Sequence, residues 1–160
     1  FVILKPNNFY QNDLWLKDAL LQYGVYPQPI GDVGLSRVDV RDIAEAAAIG
    51  LTAGGHEGES YDLVGPEVHT GRSTAEVWSR ALDRPIAYGG NDLEAWEKQS
   101  LQYMPGWMVF DFKLMFAFFQ EKGLKAAPGD VERLSKLLGH APRRFEDFAR
   151  ETAAFWKRSA

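Results

Sequence analysis

Short strand-like segments alternate with amphipathic ones across the first 90 residues. The strand-like segments are 1–5, 35–40, 60–64 and 84–88. The segments between them carry apolar residues at helical spacing and span 13–23, 39–51 and 74–82. Ser73, with Glu76 three residues later, predicts a capping box at the start of the third of these helices. Alternating strands and helices are typical of proteins in which helices cover a parallel sheet. The sequence therefore predicts an α/β fold.

The pattern changes after Gly90, where helices follow one another without intervening strands. We predict helices over 92–102, 107–121, 130–138 and 145–156. The chain is accordingly divided into an α/β part, residues 1–90, and a helical part, residues 91–160.

Composition excludes several classes of function. The 160 residues include no cysteine, which rules out a disulfide framework, a thiolate metal site and a cysteine nucleophile. The net charge is -4 and no Lys/Arg cluster suggests a nucleic-acid-binding face. No apolar run approaches the ~20 residues needed to span a membrane, and no signal-peptide pattern is visible. We expect a cytoplasmic protein that binds neither nucleic acid directly nor membrane.

Motifs that would identify catalysis or metal binding do not occur in the sequence. There is no G-x-G-x-x-G, no P-loop, no G-x-S-x-G and no tyrosine with a lysine four positions later. None of His56, His69 and His140 has a second ligand two to four positions later that indicates a metal site, so we predict none. Helix capping accounts for the carboxylates Asp39 and Asp42. The catalytic residues, if any, stay unassigned.

The loop after the first strand is the best candidate for a binding site. Pro6, Asn7, Asn8, Phe9 and Tyr10 follow a strand of the buried, parallel type. In open α/β sheets, ligands bind outside the carboxyl ends of the strands. Two adjacent side-chain amides can both donate and accept hydrogen bonds.

Helix capping is an equally weighted alternative for this loop. Asn12 or Asp13 stands just before the next helical segment and has a side chain suited to a cap.

The segment 107–119 is unusually aromatic, and it includes Trp107 and Phe110. Its spacing favours a helix buried on several sides. Two alternatives remain: it lines a ligand pocket, or an exposed part of it is a docking face for a partner.

Four segments carry recognisable patterns, namely 1–12, 38–44, 61–67 and 138–148. In the first, Pro6, Phe9 and Asn12 match the pattern Arg-Pro-x-x-Phe-x-x-Asn, and Lys5 replaces the arginine. In this order the segments resemble the C-terminal half of NmrA-like proteins, within the atypical short-chain dehydrogenase/reductase superfamily. One departure is His69, which stands where the family usually has leucine.

The resemblance implies a fold and a cofactor. The α/β part would be the last parallel strands of a partial Rossmann-like, NAD(P)-binding domain, and residues 91–160 would be a helical substrate or cap region. NADP or NAD would be the cofactor. Tight binding by this chain alone is not expected, since the glycine-rich loop that holds the pyrophosphate is absent from the sequence.

The resemblance also implies roles for individual residues. Pro6, Asn7 and Phe9 would lie beside the nicotinamide. A second set would face the substrate: Tyr10, Asn12, Trp107 and Phe110.

The same resemblance leaves the activity open. The parent protein would be an NAD(P)H-dependent oxidoreductase acting on a small molecule, and the chain as given would lack activity. The alternatives are a non-enzymatic sensor of the NADP(H) state and a protein-interaction domain.

The chain begins at Phe1 within an apolar run, so we expect it to be the rear half of a larger fold. Strand 1–5 would then have an unpaired edge. We expect that edge to pair in a homo-oligomer or with a separate N-terminal half.

Overall fold

The computed structural model describes residues 1–158 and places them in two compact units. Of the described residues, the first unit comprises 1–14, 36–68 and 125–158, and the second comprises 15–35 and 69–124. Each unit is built from segments that are distant in sequence. The division near residue 90 stays a prediction.

Four short strands and six α-helices form the regular structure of the described chain. The strands are β1 (Ile3–Pro6), β2 (Val25–Tyr26), β3 (Ser60–Leu63) and β4 (Ala87–Tyr88). The helices are α1 (Val40–Thr52), α2 (Gly71–Leu82), α3 (Leu93–Ser100), α4 (Gly106–Lys122), α5 (Asp130–Leu138) and α6 (Phe145–Arg158). This confirms a mixed α/β fold that is rich in helix. Among residues 1–158, no helix is long and apolar enough to cross a membrane.

The first unit is organised around the parallel pair β1–β3. The register runs from Ile3 opposite Ser60 to Pro6 opposite Leu63. α1 and α5 pack on this pair, and their shared core contains Val38, Ala46, Tyr61, Leu63, Leu134 and Leu138. Burying apolar surface in a core of this kind stabilises the fold by roughly 25 cal/mol for each Å² removed from water.

The prediction that the first strand is buried was wrong for the described chain. β1 pairs with β3 along one edge only, and Ile3 is 47% exposed. Parallel strands are normally covered on both faces. The described residues cover one face of β1, where Val2 and Leu4 pack against the core.

The second unit contains the parallel pair β2–β4, with Val25 opposite Ala87. Trp78 of α2 is fully buried there. α3 lies against α4, where the rings of Trp96 and Phe116 meet edge to face at 5.0 Å. The aromatic helix therefore contributes one face to the core of this unit.

The observed N-caps of α1 and α2 can be compared with the predicted ones. Asp39 caps α1 as predicted, since its side chain accepts a hydrogen bond from the Arg41 backbone N–H at 2.9 Å. The predicted capping box of Ser73 with Glu76 was wrong. Thr70 is the N-cap of α2 and Ser73 is its partner, so this helix begins at Gly71.

Two predicted elements differ in kind from those observed. Residues 35–40 form no strand but only isolated bridges, at Leu35 and Val38. The predicted helix 13–23 is a 3₁₀ helix over Tyr10–Leu16 followed by a π-helix over Ala19–Tyr23, with Gly24 ending it in a left-handed conformation. The side chain of Asp13 is fully buried and pairs with Arg37, and Asp13 lies inside the 3₁₀ helix rather than at its start.

Candidate functional site in the loop after strand β1

The loop after β1 is held at the carboxyl end of the β1–β3 pair by backbone hydrogen bonds. The Asn7 N–H donates to the Leu63 carbonyl at 3.0 Å, which extends the ladder by one residue. The Val38 N–H then donates to the Asn8 carbonyl, and the Tyr10 N–H donates to the Val38 carbonyl, each at 2.9 Å. The loop is thus fixed at the position where α/β sheets bind ligands.

A fully buried arginine, Arg37, lies beneath this loop. Its Nε donates to Asn8 Oδ1 at 2.8 Å, and its Nη2 donates to the Phe9 carbonyl at 2.9 Å. The guanidinium also forms a bidentate pair with Asp13, at 2.7 and 3.2 Å. It stacks 4.9 Å from the centre of the Phe145 ring. Arg37 therefore ties the start of the loop to its end.

Sequence reasoning missed Arg37. The available signal was a single charged residue inside the apolar segment 35–40, where burial without a partner is costly. Such a residue predicts a buried partner, and Asp13 is that partner.

The alternative that Asn12 or Asp13 caps a helix was wrong. Asp13 is paired with Arg37, and Asn12 lies within the 3₁₀ turn. The Asn12 side chain is half-buried and makes no hydrogen bond to any residue in the range 1–158. Its amide is therefore available to a ligand.

The two neighbouring amides use their oxygens within the loop. Asn7 Oδ1 accepts from the Asn8 backbone N–H at 2.6 Å, and Asn8 Oδ1 accepts from Arg37. The Nδ2 group of Asn8 donates to no other part of the described chain, and the residue is half-buried. The loop consequently offers hydrogen-bond donors more than acceptors.

Pro6 and Phe9 lie on either side of the amides. Pro6 is the last residue of β1 and is exposed, whereas Phe9 is half-buried against the core of the first unit. The roles predicted for Pro6, Asn7 and Phe9 toward a nicotinamide stay predictions.

Tyr10 is fully buried. Its hydroxyl donates to the Arg143 carbonyl at 3.1 Å, and its ring lies 5.1 Å from that of Phe145. Burial raises the pKa of Tyr10 above its ordinary value, and the positive charge of Arg37 only partly opposes this shift. The hydroxyl is protonated at neutral pH. The substrate contact predicted for Tyr10 stays a prediction.

Asp39 anchors the next turn of the loop. Gln11 donates to Asp39 at 2.9 Å and accepts from the Val40 N–H at 3.0 Å. Burial alone would raise the pKa of Asp39, but hydrogen bonds from the Arg41 side chain and backbone lower it below its ordinary value. Asp39 is therefore an ionised cap, in agreement with the capping interpretation.

A shallow hollow of about 520 Å³ lies beside this turn. Apolar and polar side chains line it in equal number, and the charges of Arg41 and Glu151 are paired with each other: Gln11, Leu14, Arg41, Phe148, Glu151, Thr152, Phe155 and Trp156. Gln11 places this hollow beside the end of the loop after β1.

Trp107 and Phe110 lie in the second unit, on α4, and are 67% and 58% exposed. The core interpretation holds for the opposite side of this helix, where Val109, Phe116 and Phe119 are buried. The substrate contacts predicted for Trp107 and Phe110 stay predictions.

Three potential metal ligands come together away from the loop. Oxygen and nitrogen atoms of Asp42, Glu45 and His140 lie within 4.8 Å of one another. Arg143 Nη1 hydrogen-bonds to both carboxylates and supplies the positive charge that they require. This arrangement is that of an ion-pair network joining α1 to the 140–144 loop.

The sequence was compared with those of known proteins. No family model matches it. An NAD(P)H azoreductase from Xenophilus azovorans is 33% identical over 159 residues, which cover 96% of this chain and 53% of that protein. A (4-alkanoyl-5-oxo-2,5-dihydrofuran-3-yl)methyl phosphate reductase from Streptomyces griseus is 31% identical over 153 residues, with coverage of 96% and 53%. The chain thus spans about half the length of the curated relatives it matches.

Solved reductase structures also match this chain in fold, and again over about half of their own length. The NADPH-dependent quinone oxidoreductase of Escherichia coli matches with a TM-score of 0.84 and 22% identity, over 94% of this chain and 54% of that one. Citrobacter sp. triphenylmethane reductase, complexed with NADP(H), matches with a TM-score of 0.78 and 18% identity, over 95% and 52%. The fold of this chain is therefore the α/β fold found in about half of each of these reductases.

Proposed function

We propose that this chain forms the nicotinamide and substrate side of an NAD(P)H-dependent oxidoreductase of the NmrA-like kind. The observation that carries the proposal is the match to the azoreductase, which extends over 96% of this chain. The second reductase match and the two reductase folds support the same class. The substrate would be a small molecule, and fold alone does not identify it.

The loop after β1 would hold the nicotinamide end of the cofactor. Pro6, Asn7 and Phe9 are the proposed cofactor contacts, and Tyr10 and Asn12 would face the substrate. The support is geometric: the loop is rigidly held at the carboxyl end of parallel strands, and the Asn12 amide makes no bond within residues 1–158. Bound NAD(P)H would supply the hydride, while these residues would position its reactive ring.

The residues present fit the nicotinamide end of the cofactor better than its pyrophosphate. Side-chain amides suit a carboxamide. The sequence contains no G-x-G-x-x-G loop to place backbone donors around the pyrophosphate. We therefore propose that this chain alone binds the dinucleotide weakly.

The test is a titration of the 160-residue chain followed by ¹H–¹⁵N NMR. NADPH and nicotinamide mononucleotide are expected to shift the amide signals of residues 7–12 in a saturable way. Adenosine 2′,5′-bisphosphate, which lacks the nicotinamide, is the matched control and is expected to leave those signals in place. Shifts with all three compounds, or with none, would overturn the assignment of this loop.

A regulatory role is the second candidate. A Dictyostelium discoideum relative that is 27% identical over 154 residues is named Prestalk A differentiation protein A, a name that describes no reductase. In this reading, the protein would sense NADP(H) and bind a protein partner. Consumption of NADPH with a quinone or azo compound by the full-length protein favours the oxidoreductase, whereas NADPH binding without turnover favours the sensor.

The free edge of β1 supports a proposal about assembly. Within the described chain, β1 has a partner on one side only, and an apolar strand with an unpaired edge tends to associate. We propose that this edge pairs in a homo-oligomer or with a separate N-terminal half, in the cytoplasm. Multi-angle light scattering combined with hydrogen exchange tests the homo-oligomer: a monomer whose β1 amides exchange rapidly would contradict it.

A further inference from the structure

We infer that Arg37 turns Asn8 into a fixed hydrogen-bond donor, so the ligand of this loop presents an acceptor oxygen, such as a carbonyl, to Asn8. The inference deepens the proposed function and rests on it in one respect, namely that the loop binds a ligand. It adds the chemical class of the ligand group and a specificity-determining pair of residues.

The orientation of the Asn8 amide follows from the chemistry of its neighbour. An arginine side chain carries only donors, and Arg37 Nε lies 2.8 Å from Asn8 Oδ1. The reverse orientation of the amide would place its NH₂ group against the N–H of Arg37. Two donors cannot bond to each other, so the Asn8 oxygen faces Arg37.

Arg37 cannot easily turn to another acceptor. Its side chain is fully buried, and its two Nη groups are bonded to Asp13 and to the Phe9 carbonyl. A buried charge retains its partners because leaving it unpaired is strongly unfavourable. The Nε–H therefore remains directed at Asn8.

The fixed oxygen determines what the rest of the amide can do. Asn8 Nδ2 retains two N–H groups, and neither bonds to another residue between 1 and 158. Since Asn8 is only half-buried, these groups are open to a ligand. A carbonyl or carboxamide oxygen of the ligand would accept a hydrogen bond from these N–H groups. A ligand that offers an N–H or ammonium at this point would meet donors and be disfavoured.

The test compares two neutral pyridines, nicotinamide and 3-methylpyridine, of which only nicotinamide carries a carbonyl oxygen. Amide shifts of residues 7–12 report binding of each probe. The wild-type chain is expected to bind nicotinamide at least several-fold more tightly than 3-methylpyridine. Equal binding of both probes would overturn the inference.

The decisive variant is Asn8→Asp. It keeps an oxygen for Arg37 and adds an ion pair, but it removes the Nδ2 donors. It is expected to fold normally and to lose the preference for nicotinamide. Gln102→Glu, an exposed position in the second unit, is the matched control for the added charge and is expected to retain the preference.

The outcomes separate this inference from the proposed function. Nicotinamide binding that is unchanged in Asn8→Asp leaves the proposed function standing and overturns the inference. A loop that responds neither to nicotinamide nor to NADPH overturns both.

Discussion

Arg37 and Asp13 form a bidentate ion pair in which both side chains are fully buried, with Nη2 and Oδ1 separated by 2.7 Å. The pair joins the segment before α1 to the end of the candidate binding loop. Its burial makes it sensitive to the loss of either partner, because the remaining charge would have no water around it. The loop geometry and the stability of the first unit are therefore expected to change together.

The first prediction concerns this pair. Arg37→Met and Asp13→Asn are each expected to lower the free energy of unfolding by about 3–5 kcal/mol. The double variant Arg37→Met/Asp13→Asn is expected to lose less than the sum of the two, because it leaves no charge buried. Urea denaturation measures all three.

The matched control for this prediction is the exposed pair Arg150 and Asp147, whose side chains are 2.6 Å apart. Arg150→Met is expected to change stability by only about 0–1 kcal/mol. Equal losses at the buried and exposed pairs would show that burial of the Arg37–Asp13 pair does not govern its contribution.

The second prediction concerns a close approach beneath the loop. A Cβ added at Gly65 would overlap the Arg37 carbonyl oxygen and the Tyr10 hydroxyl oxygen. Gly65→Ala is therefore expected to destabilise the chain by about 1–3 kcal/mol, since the backbone must shift to make room.

Gly54→Ala is the matched control, because a Cβ at Gly54 would meet nothing within 4 Å. Its effect on the unfolding free energy is expected to stay within about 0.5 kcal/mol. Thermal or urea unfolding of the two variants compares them directly, and a harmless Gly65→Ala would contradict the packing described here.

The sequence predicts a structural feature well when the residues that form it are close together in the chain. The apolar face of α6, with Phe145, Phe148 and Trp156, follows from spacing alone and is buried as expected. The Asp39 cap depends on a residue only two positions away. Both signals lie within one element, so tertiary contacts have little opportunity to override them.

The parts that could not be predicted depend on contacts distant in sequence. Arg37 and Asp13 are 24 residues apart, and no local pattern joins them. Both residues lie in segments whose predicted structure differs from the observed one, a 3₁₀ helix around Asp13 and isolated bridges at Leu35 and Val38. For the candidate site, the sequence indicated the loop but not which of its amide atoms are already bonded.

The third prediction distinguishes the observed start of α2, capped by Thr70, from the start that the sequence predicted at Ser73. Thr70 caps α2 by accepting a hydrogen bond from the Ser73 backbone N–H at 3.2 Å. Thr70→Ala is expected to lower stability by about 1 kcal/mol, while Glu76→Ala, in the sequence-predicted box, is expected to change it little. Urea denaturation distinguishes them, and a larger loss at Glu76 would restore the sequence-based helix start.

The fourth prediction concerns the pH dependence of the network at α1. The Ala141 carbonyl lies 2.8 Å from His140 Nδ1, and Glu45 Oε1 lies 3.0 Å from Nε2. The Ala141 carbonyl first, and then Glu45, favour the protonated ring and raise the pKa of His140 above its ordinary value. The stabilisation is therefore complete at pH values below the ordinary histidine pKa and is lost as the pH rises through the raised value.

Glu45→Gln tests this linkage. Removing the carboxylate charge is expected to lower the pKa of His140 toward its ordinary value, although the Ala141 contact remains, and to weaken the pH dependence of unfolding. NMR titration of the His140 ring protons measures the shift. A His140 titration curve that is identical in the wild type and in Glu45→Gln would show that Glu45 is not coupled to this ring in solution.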